Sequence, residues 1–174
     1  MAGESLINYL KTTSGLADQA LRAVVLEKSM DKLSAEDAKK LDTFLADIKV
    51  CDPACGSGAF LVGMLHVIIS ARLLLNPGAG EYGLKKEAIQ NCIYGVDIDP
   101  GAVEIAKLRL WLSLVVDYDL ADIEPLPNLD YKVMCGNSLL EELIVGDQTI
   151  KLFDERLLNK KKKKKDQLFE FSME

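Results

Sequence analysis

Asp52-Pro53-Ala54-Cys55-Gly56-Ser57-Gly58 stands between two apolar runs of different character. Residues 48–51, Ile-Lys-Val-Cys, are short and β-compatible. Residues 59–75 follow a helical pattern and are apolar on nearly every side, which suits a helix packed on a sheet. Glycines at a strand-to-helix turn let the backbone bend tightly and let a ligand approach the main chain, and the next helix aims its N-terminal amides at that ligand. The dinucleotide fingerprint requires a third Gly where this chain has Leu61, and an acid about 20 residues on. Here Asp97 lies 39 residues beyond Gly58. No Gly-Lys-Ser/Thr is present, which excludes a P-loop. An acid four residues ahead of Gly56 suits a ligand with an amino group, because a carboxylate accepts from an ammonium. These features point to a methionine-bearing nucleoside.

Outward from that turn, Cys92-Ile93-Tyr94-Gly95-Val96-Asp97 reads as a second strand. A helix to about Asp117 follows, with Asp99 as its N-cap and Pro100 at its first position. An acid at the end of a strand can accept two hydrogen bonds from a ribose diol. Asp97 is that candidate, and the apolar Ile98 beside it can flank a purine ring. Residues 130–135 read as a third strand ending in Gly136-Asn137, where a side-chain carbonyl would meet the adenine amine; Gly-Asn-Ser is also a common turn. Strand, helix, strand, helix, strand is the α/β pattern of parallel βαβ units. Three strands make an unfinished sheet, so the outer edge of the first is expected to be exposed, favouring self-association or coverage by the tail.

The flanks divide the chain into a helical N-terminal segment (1–47), a partial cofactor-binding domain (48–158) and a Lys-rich flexible tail (159–174). In the first, Leu6, Leu10, Leu16, Ala20, Leu21, Val24 and Val25 recur at helical spacing, with a break at Gly15. Ser34 and Asp37 form a capping box that opens a helix through Asp47, with Ala38, Leu41, Phe44, Leu45 and Ile48 on one side. Residues 76–80 read as a loop, 84–91 as a short helix and 121–129 as a connector. Residues 143–153 read as a hairpin around Gly146-Asp147, and 153–158 as a short helix. Lys160 to Lys165 is a self-repelling run of six lysines, read as a solvated linker.

The 174 residues carry a net charge of −6, with 49% hydrophobic and 28% charged residues. An acidic chain is poorly suited to grip phosphates, so if DNA is the substrate most of the gripping surface is expected elsewhere. Cys51, Cys55, Cys92 and Cys135 form no Cys-x-x-Cys pair and read as small core residues with free thiols. With His66 the only histidine, no metal site is expected. No run of about 18 apolar residues or signal-like N-terminus occurs, so the cytoplasm is the expected compartment.

The stretches 52–66, 93–113 and 127–140 occur in the order of motifs I, II and III of class I methyltransferases. They resemble the N6-adenine DNA methylases, in particular the large fused restriction–modification enzymes of type IIG and related phage-defence methylases. The resemblance implies a partial Rossmann-like fold that binds S-adenosylmethionine. Asp52, Pro53, Ala54 and the Gly56 and Gly58 backbone would meet the methionine end. Asp97 would hold the ribose hydroxyls, Ile98 would pack on the adenine, and Asn137 would accept from the adenine amine in place of the family's usual Asp.

Two departures bear on activity. The family's Asn/Asp-Pro-Pro-Tyr/Phe run, which holds the target amine and stacks on the flipped base, is absent: Asn76-Pro77 continues to Gly78, and Asp52-Pro53 to Ala54. The family's aromatic-Thr-Pro element is not visible either. The expectation is a front portion of an adenine-specific DNA methyltransferase, inactive by itself, with DNA contacted through other regions of the parent. The alternatives are a portion of an RNA or protein-glutamine methyltransferase, or a non-catalytic module that binds cofactor or a partner.

Overall fold

The computed structural model describes residues 1–116, 128–139, 142–145 and 148–151. The helices are α1 (Ala2–Ser14), α2 (Asp18–Arg22), α3 (Ala35–Asp47), α4 (Ala59–Leu75), α5 (Glu81–Asn91) and α6 (Pro100–Val115). The strands are β1 (Val50–Asp52), β2 (Ile93–Asp97), β3 (Val133–Asn137), β4 (Glu142–Val145) and β5 (Gln148–Lys151). They form one sheet in the order β1-β2-β3-β4-β5. β1, β2 and β3 are parallel, with Asp52 beside Gly95 and Asp97 beside Cys135. The core is thus the expected partial Rossmann-like arrangement of three parallel strands, with flanking helices and a helical N-terminal segment before it.

The expected hairpin is present, β4 pairing with β5 from Glu142–Lys151 to Val145–Gln148. Its docking on β3 was not anticipated. β4 runs antiparallel to β3, with Asn137 beside Glu142, so the sheet has five strands rather than three. β1 stands at the opposite edge and, among the described residues, pairs only with β2.

Local chemistry accounts for most of the element ends. Gly15 terminates α1 in the left-handed conformation at φ 71°, as its sequence position suggested. Ser34 accepts from the Asp37 amide at 3.1 Å to open α3. Asp99 caps α6 by accepting from the Gly101 amide at 2.8 Å. The helical stretch before α3 is more broken than its spacing implied. After α2 the chain makes one π-helical turn over Ala23–Glu27 and leaves it at Lys28, which is left-handed at φ 54°.

Three further boundaries move. β1 begins at Val50 rather than residue 48, because pairing with β2 starts at the Val50–Ile93 register while Ile48 is buried just before it. α5 starts at Glu81, three residues earlier than read. β3 starts at Val133, since the amides of Lys132 and Val133 both donate to the Leu129 carbonyl and close a turn there. The end of the helix at Asp117, the connector from 121 to 127, the helix at 153–158 and the lysine run lie outside the described residues.

One continuous apolar core unites the N-terminal helices with the sheet. Leu6, Ile7 and Leu10 of α1 and Leu41 and Leu45 of α3 join Leu61, Leu65 and Ile68 of α4 and Ile93 of β2. Arg72 of α4 is buried in this layer, bonded to Asp42 at 2.9 Å and Glu87 at 2.7 Å, and so ties α3, α4 and α5 together. The cysteine reading needs correction. Cys55 and Cys92 are buried, but Cys135 is half-buried and Cys51 exposed. Side chains alternate along a strand, and Val50 takes the core-facing position in β1, which leaves Cys51 facing outward.

Candidate cofactor site

The turn between β1 and α4 is built around two glycines with positive φ, Gly56 at 50° and Gly58 at 80°. They are glycine for different reasons. A Cβ on Gly58 would lie 2.9 Å from the Cβ of Ala106 and 3.0 Å from its Cα, so α6 packs directly on the turn. A Cβ on Gly56 would meet nothing within 4 Å, so space is open in front of its backbone. No side chain caps α4, whose N-cap is Gly58, so its first-turn amides carry the partial positive charge of a helix start uncompensated.

β2 locks to this turn. The Cys55 amide donates to the Val96 carbonyl at 3.0 Å, and the Gly56 amide donates to Asp97 Oδ2 at 2.7 Å. The other Asp97 oxygen accepts from the Asp99 amide at 3.0 Å. Hydrogen bonds from the Asp99 and Gly56 amides hold the Asp97 carboxyl below its ordinary pKa of 3.8, so it is a fixed anion at neutral pH. Gly95 is required beneath it, because a Cβ there would meet Leu61 Cδ1 at 2.8 Å and Cys55 Sγ at 3.0 Å. Burial, helped by the charges of Asp52 and Asp97, pushes the Cys55 thiol up to about 11, so it stays protonated and inert.

The remaining candidates sit around this latch. Asp52 ends β1 and accepts from the Ala54 amide at 3.1 Å, a turn that leaves Pro53 and Ala54 exposed. Ile98 is 66% exposed directly after β2. Asn137 ends β3, two residues past the partner of Asp97, and its Oδ1 accepts from the Leu139 amide at 3.0 Å. That is the local turn a Gly-Asn-Ser sequence commonly forms. Asp97 and Gly56 are therefore in direct contact, Ile98 follows Asp97 in the chain, Asp52 opens the turn that Gly56 belongs to, and among the described residues the Asn137 side chain bonds only to the nearby Leu139 amide.

Arg109 of α6 was missed by the sequence reading, although its Nη1 donates to Ser57 Oγ at 3.0 Å inside the Gly-rich turn. No local motif marks it; only the packing of α6 on the turn brings it there. Among the described residues no group of three or more His, Cys, Asp or Glu could hold a metal ion, and no helix is long and apolar enough to cross a membrane. A cavity of about 560 Å³ lies elsewhere, between α6 and the 128–130 turn at the start of β3, lined by Lys107, Leu108, Trp111 and Leu129.

Residues 91–173, which include Asp97, Ile98 and Asn137, match the family model described as Eco57I restriction-modification methylase. The similarity is to restriction–modification methylases. The chain is 42% identical over 121 residues to a putative type II restriction enzyme and methyltransferase of Methanocaldococcus jannaschii, covering 63% of this chain and 10% of that protein. It is 34% identical over 113 residues to DNA methyltransferase A of Bacillus subtilis, covering 63% and 12%. It is 29% identical over 111 residues to the adenine-specific methyltransferase PglX of Streptomyces coelicolor, covering 63% and 9%. The chain thus spans about a tenth of the length of these methylases. No solved structure matches it. The resemblance to restriction–modification methylases drawn from the three motifs is borne out.

Proposed function

We propose that this chain forms the S-adenosylmethionine-binding part of a DNA methyltransferase that modifies the N6 amine of adenine, in restriction–modification or phage defence. The observation that carries the reading is the Asp97–Gly56 latch: a fixed carboxylate at the end of β2 holding a glycine turn whose front is open. The likeness to DNA methyltransferases, one of them named adenine-specific, supports the reaction class.

The available groups fit the cofactor. Asp97 has two oxygens suited to a ribose diol, the exposed Ile98 offers an apolar surface to an adenine ring, and the half-buried Asn137 carbonyl lies one strand over. Asp52 would face the ammonium of the methionine end. The open backbone at Gly56 and the uncapped start of α4 would receive its carboxylate. When bound, S-adenosylmethionine supplies an electrophilic methyl on sulfur. The part of these residues is to bind and orient it, and positioning is a large fraction of the rate advantage in such a transfer.

No Asn/Asp-Pro-Pro-Tyr/Phe run occurs in the 174 residues, so they are expected to bind cofactor without transferring methyl by themselves. DNA would be contacted through other regions, consistent with the net charge of −6. Among the described residues β1 pairs only with β2, and that free edge supports self-association as a corollary, to be read from sedimentation at rising concentration.

The test is a calorimetric titration of the chain with S-adenosylmethionine, beside Asp97→Ala. Saturable binding by the first and at least a tenfold loss in the second is the expected result. Equal binding by both would remove Asp97 from the site, and no binding by the folded wild type would remove the reading.

A further inference from the structure

The Gly-rich turn is held from two neighbouring elements. β2 holds its backbone through the Cys55–Val96 and Gly56–Asp97 hydrogen bonds. α6 holds it through a side chain, Arg109 Nη1 donating to Ser57 Oγ at 3.0 Å. Ser57 lies between Gly56 and Gly58, both left-handed and both without a side chain, so its hydroxyl is the one side-chain handle on that tripeptide. The contact between Gly58 and Ala106 lies three residues before Arg109 on the same helix. Helical side chains lean toward the N-terminus of their helix, so Arg109 reaches back over the Ala106 contact to the turn. Among the described residues Arg109 has no carboxylate partner, unlike Arg22, Arg72 and Lys107.

We propose that Arg109 is a positioning residue for the cofactor turn, acting through the Ser57 hydroxyl to keep Gly56-Ser57-Gly58 in its ligand-ready conformation. The proposal rests on reading this turn as the S-adenosylmethionine site. Two consecutive backbone reversals at glycine have many alternative conformations, and a ligand that needs one of them gives up affinity in proportion to the time spent in the others. The guanidinium bond reduces that loss without touching the ligand. Its worth is that of one hydrogen bond at a half-open site, roughly three- to tenfold in affinity.

The experiment compares wild type with Arg109→Ala, Ser57→Ala, the double variant and Arg109→Lys. Each is titrated with S-adenosylmethionine by calorimetry, and amide exchange of the 55–59 stretch is followed without ligand. Each single alanine variant should bind about three- to tenfold more weakly, the double variant no more weakly than either single one, and Arg109→Lys should recover part of the loss. Exchange should quicken at the turn while the α6 and β2 core amides keep their protection.

Unchanged binding in Ser57→Ala with a loss in Arg109→Ala would mean that Arg109 meets the ligand directly and would overturn the proposal. Additive losses would do the same, as would faster exchange spread through α6. If wild type binds no S-adenosylmethionine, the functional reading fails. The exchange data still decide whether Arg109 holds the turn.

Discussion

Replacing Gly58 by alanine tests the packing that builds the site, and the structure separates two costs. At φ 80° an alanine backbone is left-handed, worth roughly 1–2 kcal/mol. Its Cβ would also fall 2.9 Å from Ala106 Cβ and 3.0 Å from Ala106 Cα, forcing α6 away from the turn. Overpacking of that kind costs about 1–3 kcal/mol, so the sum is about 2–5 kcal/mol. Gly15 is the control, since at φ 71° with nothing within 4 Å of its Cβ position it carries only the backbone cost. Urea unfolding is the assay. With a slope near 2 kcal/mol/M, Gly58→Ala should lower the midpoint by roughly 1–2.5 M and Gly15→Ala by about 0.5–1 M. Equal shifts for the two variants, with unchanged slopes, would refute the close approach of α6 to the turn.

Three other outcomes follow from the same geometry. Because the folded pKa of Asp97 is depressed by amide hydrogen bonds, its contribution is present above the ordinary carboxylate value of 3.8 and is lost as pH falls through the lower folded value. Urea midpoints below pH 4 should therefore fall less steeply for Asp97→Asn than for wild type, and identical slopes would argue against the latch. Ile98→Ala should leave the thermal midpoint nearly unchanged, because the side chain is 66% exposed. It should nonetheless weaken S-adenosylmethionine binding roughly tenfold through lost apolar contact, read by calorimetry. Arg72→Ala removes a buried guanidinium shared by Asp42 and Glu87. With both acids partly exposed to water, the expected loss is about 2 kcal/mol in urea unfolding rather than the full cost of a wholly buried pair.

Local chemistry made much of the fold readable in advance. Asp99-Pro100, Gly15 and Ser34 each satisfy a helix end with their own side chain or backbone freedom, so the helices they bound could be placed from neighbours in sequence. The glycine turn and Asp97 were visible because motif spacing encodes a strand-to-helix switch. What the sequence hid depends on contacts between distant residues. The docking of β4 on β3 is a pairing choice that no residue type in 142–145 announces. Cys51 looked like a core residue because composition does not reveal which way a three-residue strand faces. Arg109 reads as an ordinary surface cation until α6 lies against Gly58.

If the ends of β1, β2 and β3 hold the nucleoside, amide chemical-shift mapping of this 19.2 kDa chain with S-adenosylhomocysteine will show it. The largest changes are expected at Gly56, Gly58, Asp97, Ile98 and Asn137, vanishing in Asp97→Ala. Changes centred instead on Leu108, Trp111 and Leu129, around the cavity beside α6, would contradict it, as would a spectrum that the ligand leaves unaltered.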